Sequence, residues 1–288
     1  MVEREPNHTP IDLHQQGAEG VIGIYLLPTD DGPALFDCGP ACCFEQLREQ
    51  VDLGEIRHIL LSHIHLDHAG AAGHVVREFP HIQLHVSEIG APHLVDPARL
   101  ISSARRIYGD TLDTLFGEPL PVPEENVHVV GDHVVGLACF PSPGHASHHV
   151  CYVHGDGTLY AGDACGVRLL GAQQVLPHAP PPDIDLEGWE RTFDEVLRHQ
   201  PERLALIHFG VVEGLEETAE HMARAREYLQ VWAERVEGGM SEKEFVAAAR
   251  RDYEESEGSY DERLELAAPY WQSYAGLARY WKKRHAVS

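Results

Sequence analysis

Up to about residue 210 the chain is written in short apolar runs set off by Gly, Asp and Pro, the pattern of strands and tight turns. Residues 20–27 and 33–39 flank the polar turn Thr29-Asp30-Asp31-Gly32 and predict a hairpin. A helix is predicted over 44–51, a strand over 56–61, a helix over 70–79 and a strand over 82–86. Residues 92–125 mix Pro, Asp and Arg without a sustained period and read as an insertion with some helix. Strands return at 127–130, 134–140, 149–153 and 158–161, and the Pro-rich stretch 177–183 leads into a helix over 186–200 and a strand over 204–208. Strands flanked by helices in two successive sets predict an α/β fold, a sandwich of two sheets covered by helices.

From Leu215 onward Glu, Ala, Arg and Leu recur at helical spacing, and Ser241 with Glu244 predicts a capping box. Near the end, Tyr270, Trp271, Tyr274, Leu277, Ala278 and Trp281 set aromatic bulk along one helix face, expected chiefly to pack on the main body. The expected organisation is a main domain over 1–212 and a helical C-terminal extension over 213–288.

Composition narrows the class. The chain is 43% hydrophobic, which fits a folded globular body, and it has no apolar run long enough to span a membrane. The opening Met1-Val2-Glu3-Arg4-Glu5-Pro6 lacks a basic segment followed by an apolar one, so a cytoplasmic location is the expectation. With 46 acidic against 22 basic residues the net charge is −24, which disfavours nucleic acid or an anionic membrane as partner. A small-molecule substrate is expected instead, and the oligomeric state is left open. Cys38, Cys42, Cys43, Cys139, Cys151 and Cys165 form no C-x-x-C pair and read as reduced, mostly buried thiols. Cys38 and Cys165 sit beside aspartates, yet no paired base marks either as a nucleophile.

The chemistry concentrates in His63-Ile64-His65-Leu66-Asp67-His68, four ligand-type side chains immediately after a predicted strand. Among 21 histidines only such a cluster is informative. A strand end holds side chains rigidly enough to aim them at one point, and imidazoles with a carboxylate suit zinc and similar dications. Pro143-Gly144-His145, Gly162-Asp163 and Ile207-His208 each add a His or Asp after a strand or turn.

In this order the motifs resemble the metallo-β-lactamase superfamily over roughly residues 20–210. The resemblance implies a four-layer αβ/βα sandwich with its metals at one edge. It implies that His63, His65 and His145 bind one ion, that Asp67, His68 and His208 bind the other, and that Asp163 bridges them. Asp37, in Leu35-Phe36-Asp37-Cys38-Gly39, is similar to the family's early aspartate that supports a ligand histidine. His148 and His149 depart from the small hydroxyl residues often found there and are not assigned as ligands. His58, His74, His85 and His178 are expected to be surface or packing residues.

The resemblance implies a hydrolase in which a hydroxide bridged by two divalent ions, zinc first with manganese or iron as alternatives, attacks a small ester, lactone or thioester. Asp67 and Asp163 would be its catalytic carboxylates. Asp163 in place of Cys departs from a common β-lactamase pattern, and His65 departs from the carboxylate of the diiron reductases. The alternatives are a mononuclear iron, sulfur dioxygenase-like oxidoreductase and a phosphodiesterase of the same superfamily. A non-enzymatic binding module is disfavoured because all seven ligand positions are filled. Because His208 ends the last predicted core strand, the C-terminal helices are expected to cover one side of the site, with Tyr270 or Tyr274 reaching the substrate.

Overall fold

The computed structural model describes residues 8–286; the opening segment read above for a leader, Met1 to Pro6, lies outside them. The first sheet runs in chain order through β1 (Ile11–Asp12), β2 (Gly23–Thr29), β3 (Gly32–Phe36), β4 (His58–Leu60), β5 (Gln83–Val86) and β6 (Val127–Val129). The second contains β7 (His133–Val134), β8 (Leu137–Pro141), β9 (Val150–Val153), β10 (Thr158–Gly162), β11 (Arg203–Leu206) and β12 (Gly210–Glu213), again ordered as in the chain.

Helices α1 (Phe44–Gln50), α2 (Leu66–Ala69) and α3 (Ala72–Glu78) follow β3 and β4; α4 (Ala91–Val95), α5 (Ala98–Tyr108) and α6 (Leu112–Phe116) fill the insertion. Helix α7 (Leu186–Arg198) precedes β11, and α8 (Leu215–Glu237), α9 (Glu242–Glu257), α10 (Leu264–Ala267) and α11 (Tyr270–His285) end the chain. The two sheets meet through Tyr25, Phe36, Tyr152 and Tyr160, whose rings lie edge-on or tilted at 5.3–5.9 Å. Tyr25 donates to the Leu206 carbonyl and Tyr152 to that of Leu61, so each buried hydroxyl also ties one sheet to the other. With helices outside, the arrangement is the four-layer α/β sandwich. No helix among the described residues is long and apolar enough to cross a membrane.

Three elements differ from the sequence reading. The run 134–140 is two strands, because Val135 and Gly136 both take positive φ (41° and 91°) and turn β7 back onto β8. A two-residue turn of that kind usually carries Asn or Gly first, and Val135 concealed it. The expected strand at 56–61 shortens to β4. Beyond His208 the chain does not pass straight into helices: β12 pairs antiparallel with β11 and extends the sheet to Glu213, just across the expected 212/213 boundary.

The aromatic face of the last helix packs. Tyr270 stacks edge-on to Trp232, Tyr274 tilts against Phe245, and Trp281 donates to the Ala233 carbonyl. The capping box at Ser241 and Glu244 is complete in both directions.

Candidate metal centre

Parallel pairing of β3 with β4 and of β10 with β11 brings strand ends from both sheets to one edge of the sandwich. Asp37 follows β3, His63 and His65 follow β4, Asp67 and His68 ride on the single turn of α2, Asp163 follows β10 and His208 lies between β11 and β12. His145 comes from the β8–β9 loop. The register of β10 slips between Tyr160 and Gly162, just before Asp163, an irregularity of the kind that re-aims a side chain. At Gly162 φ is +51°, and an added Cβ would lie 2.6 Å from His149 Nε2 and from Ser62 Cβ.

Five of the seven expected ligands, His63, His68, His145, Asp163 and His208, are buried, while His65 and Asp67 are half-buried, Asp67 being 19% exposed at its side chain. His63 Nε2 lies 2.8 Å from His65 Nδ1 and 3.2 Å from His145 Nε2, and the last two are 3.0 Å apart. On the other side Asp67 Oδ2 is 3.7 Å from His68 Nε2 and 3.5 Å from His208 Nε2. Asp163 faces both groups: Oδ1 is 3.3 Å from His68 Nε2 and 3.7 Å from His208 Nε2, while Oδ2 is 3.5 Å from His145 Nε2.

The contacts behind the rings fix which nitrogen is free. His68 Nδ1 donates to Asp37 at 2.8 Å, His208 Nδ1 to the Val21 carbonyl at 2.6 Å and His145 Nδ1 to the His178 carbonyl at 2.7 Å. Asp37 also accepts from the Ser62 amide and hydroxyl, both at 2.7 Å. The Ser62 oxygen is thereby left to accept from His63 Nδ1 at 2.9 Å. Each of these four imidazoles, if neutral, therefore turns an unprotonated Nε2 toward the cluster.

His68 Nε2, His208 Nε2 and Asp163 Oδ1 are buried without a hydrogen-bond partner. Leaving a buried polar atom unpaired costs about 1–3 kcal/mol, so three such atoms aimed at one spot fit a cation. The three imidazole nitrogens opposite fit one equally: metal–nitrogen bonds of about 2.0–2.1 Å in a tetrahedron set ligand atoms about 3.4 Å apart. Charge divides the cluster: against burial, Asp163 and Asp67 hold His68 and His208 above the ordinary histidine value, so protons compete with an ion there. Burial, reinforced by neighbouring imidazoles, holds His63 and His65 well below the ordinary histidine value. Burial opposes ionisation of Asp163 as well, but His68, His208 and His145 around it outweigh that and keep the carboxyl well below its usual range.

Several residues read differently in three dimensions. His149 is buried behind the centre: its Nδ1 meets Ser142 Oγ at 2.7 Å and its Nε2 accepts the Asp163 amide at 3.2 Å. His178, expected as a surface or packing residue, supplies the carbonyl under His145 and lines the cavity in front of the cluster. Burial pushes its imidazole down to about 3. A carbonyl leaves no mark in a sequence, and only the neighbouring prolines hinted at a shaped segment. His58 and His85 are buried and hydrogen-bonded to each other at 3.0 Å, whereas His74 is partly exposed.

The cavity, about 210 Å³, is bounded by the metal-edge residues, by α5 and α6, and by residues 178–183. Helices α8 to α11 do not line it, which corrects the expectation of a C-terminal cover. They act from behind: Tyr108 donates to Gln272, Ser273 accepts the Ala179 amide, and Gly276 lies so near Ala179 that an added Cβ would be 2.0 Å from its carbonyl oxygen.

A family model described as the metallo-beta-lactamase superfamily matches residues 19–208, and the chain belongs to that superfamily. A hydroxyacylglutathione hydrolase of Xanthomonas campestris pv. campestris is 28% identical over 164 residues, 56% of this chain and 52% of its own. The chain thus spans about half the length of the curated relatives it matches first. Among solved structures, an archaeal metallo-beta-lactamase superfamily protein from Sulfolobus tokodaii superposes with a TM-score of 0.63 at 21% identity, over 76% of this chain and 85% of its own. Another, TTHA1623 in a di-iron-bound form, gives 0.54 at 24% identity over 69% and 93%. These likenesses show the fold.

Proposed function

We propose that the chain is a metal-dependent hydrolase of a small ester, thioester or lactone, working in the cytoplasm with two divalent ions, zinc before manganese or iron. His63, His65 and His145 would hold one ion and Asp67, His68 and His208 the other, with Asp163, which faces both groups, available to each. The observation that carries this reading is the buried, unpartnered triad of His68 Nε2, His208 Nε2 and Asp163 Oδ1 facing the three-imidazole group. Bound ions supply Lewis-acid polarisation of the substrate oxygen and lower the pKa of water.

The chain's own residues do the rest. Asp37, Ser62, Val21 and the His178 carbonyl hold the rings in orientation. Asp67 is the ligand carboxylate that lines the cavity and is partly exposed, so it is the carboxylate placed to take a proton from an attacking water. Relatives named hydroxyacylglutathione hydrolase support an acyl substrate over a phosphodiester. We assign catalysis to 1–212 and a supporting role to the helical extension 213–288.

Metal analysis of the purified chain with a lactone, thioester and phosphodiester panel tests this. About two zinc or manganese ions per chain with acyl hydrolysis is the expected result. One iron with oxygen consumption, or cleavage of phosphodiesters alone, overturns it.

A further inference from the structure

The insertion carries a small apolar core of its own. Leu66 of the metal-binding turn packs with Ala104, Leu112 and Phe116 of α5 and α6, apart from the main core. This cluster fixes α5 as a rigid wall in front of the ligands, and the wall remains mostly apolar where it faces the cavity. Leu100, Ile107 and Phe116 line it together with Pro180 and Pro181, and His65 with Asp67 joins the same cavity to the ligand cluster.

Arg99, on the first turn of α5, also lines this cavity. Arg105, on the same helix, is paired with Asp113, and Arg226, Arg235 and Arg263 are paired elsewhere. Arg99 makes no ion pair or hydrogen bond among the described residues, although acidic residues outnumber basic ones two to one in the chain. Among the described residues Arg57, Arg168 and Arg251 also have no side-chain hydrogen bond or ion pair, but none of them lines this cavity. The carboxylates that share the cavity do not take it up: Asp67 faces His68 and His208, and no ion pair joins Asp183 to Arg99.

We infer that the substrate carries an apolar chain or ring ending in an anionic group, the apolar part lying along the α5–α6 wall and the anion meeting Arg99. The guanidinium is a permanently charged fork suited to carboxylate, sulfonate or phosphate oxygens, and an apolar slot with one polar anchor fixes both depth and direction of a ligand. The susceptible bond then lies beside Asp67, where the cavity meets the ligand cluster. This rests on the hydrolase reading for the chemistry, but not for the binding.

Fluorescence titration of the metal-loaded full chain tests the binding directly, using anilinonaphthalene sulfonate, an apolar ring system bearing an anion, and the uncharged phenylnaphthylamine. Both dyes are expected to bind, and Ser103→Trp, which fills the cavity from the partly exposed face of α5, is expected to weaken both about tenfold or more. Arg99→Ala is expected to weaken only the sulfonate about two- to fivefold, the scale of an exposed ion pair, and Arg99→Glu to weaken it further. Equal binding of the sulfonate by the wild type and Arg99→Glu overturns the inference, as does indifference of both dyes to Ser103→Trp. Dye binding needs no turnover, so absence of hydrolysis across the substrate panel would sink the hydrolase reading while this result stands or falls separately.

Discussion

Replacing Asp37 by Asn isolates the support of one ligand from the shape of the site. The residue is fully buried and sits at φ 57°, a left-handed conformation that Asn tolerates nearly as well as Asp, so backbone strain is unchanged by the substitution. Asp37 accepts three hydrogen bonds, two from Ser62 and one from His68 Nδ1. The amide oxygen of Asn can still accept the Ser62 amide, and the Ser62 hydroxyl can turn to accept from Nδ2. The His68 nitrogen then faces a donor. The ring escapes only by moving its proton to Nε2, the atom that faces Asp67 and Asp163.

A hydrogen bond to a charged group contributes about 1.5–3 kcal/mol, and each 1.4 kcal/mol is about a factor of ten in affinity. The ion on the His68 side should therefore bind about ten- to a hundredfold more weakly, the usual scale for losing a ligand's outer support. The ion at His63, His65 and His145 should be far less affected. Competition with a graded chelator, followed by metal analysis, reads the two affinities. Two ions bound by Asp37→Asn as tightly as by the wild type would refute the tautomer argument.

Asp163→Asn should lower occupancy on both sides together, since each of its oxygens faces a different ligand group, and an occupancy loss confined to one ion in metal analysis would argue against sharing. Burial pushes His221, whose Nε2 donates to the Cys165 carbonyl, down to about 3, below its unfolded value of about 6.5. The unfolded chain takes that proton first, so His221's contribution is complete above about pH 6.5 and erodes by up to about 1.4 kcal/mol per pH unit as pH falls toward 3. Denaturant titrations between those limits should be shallower in pH for His221→Gln; an unchanged slope would count against the reading. Ser241→Ala removes a complete capping box and should cost about 1 kcal/mol in chemical denaturation, leaving metal content untouched.

The metal edge was legible because its signal is local. Four ligand-type residues within six positions, placed after a strand, define a direction as well as a chemistry, and later His and Asp residues at strand ends complete the cluster. Asp37 was legible for the same reason, standing at the end of β3 next to the ligand strand β4. The contacts behind the rings were not. Val21 and His178 contribute carbonyls, groups that every residue possesses, and the sequence cannot mark one carbonyl as special. His149 was visible as a departure from a resembling pattern, yet its acceptance of the Asp163 amide is a contact to a backbone N–H, which no sequence position announces.

The misreading of the C-terminal helices has a physical source that bears on how the site is shaped. Amphipathic periodicity tells that a helix has an apolar face, and it leaves open what that face covers. Here Tyr270 and Tyr274 of α11 turn toward Trp232 and Phe245 of α8 and α9, while Trp271, edge-on to Tyr108, and the small and polar residues Ser273, Gly276 and Gln272 meet the walls of the cavity. The small residues permit the close approach of 179–180, and the polar ones fix Tyr108 and the Ala179 amide. Specificity can therefore respond to changes in α11 without any of its side chains entering the cavity. Gly276→Ala makes this concrete: the added Cβ, 2.0 Å from the Ala179 carbonyl oxygen, must push the 178–183 wall or the helix aside. Binding of the two dyes should change while ions remain bound, and a variant with unaltered dye affinity would show that the wall is held by something other than α11.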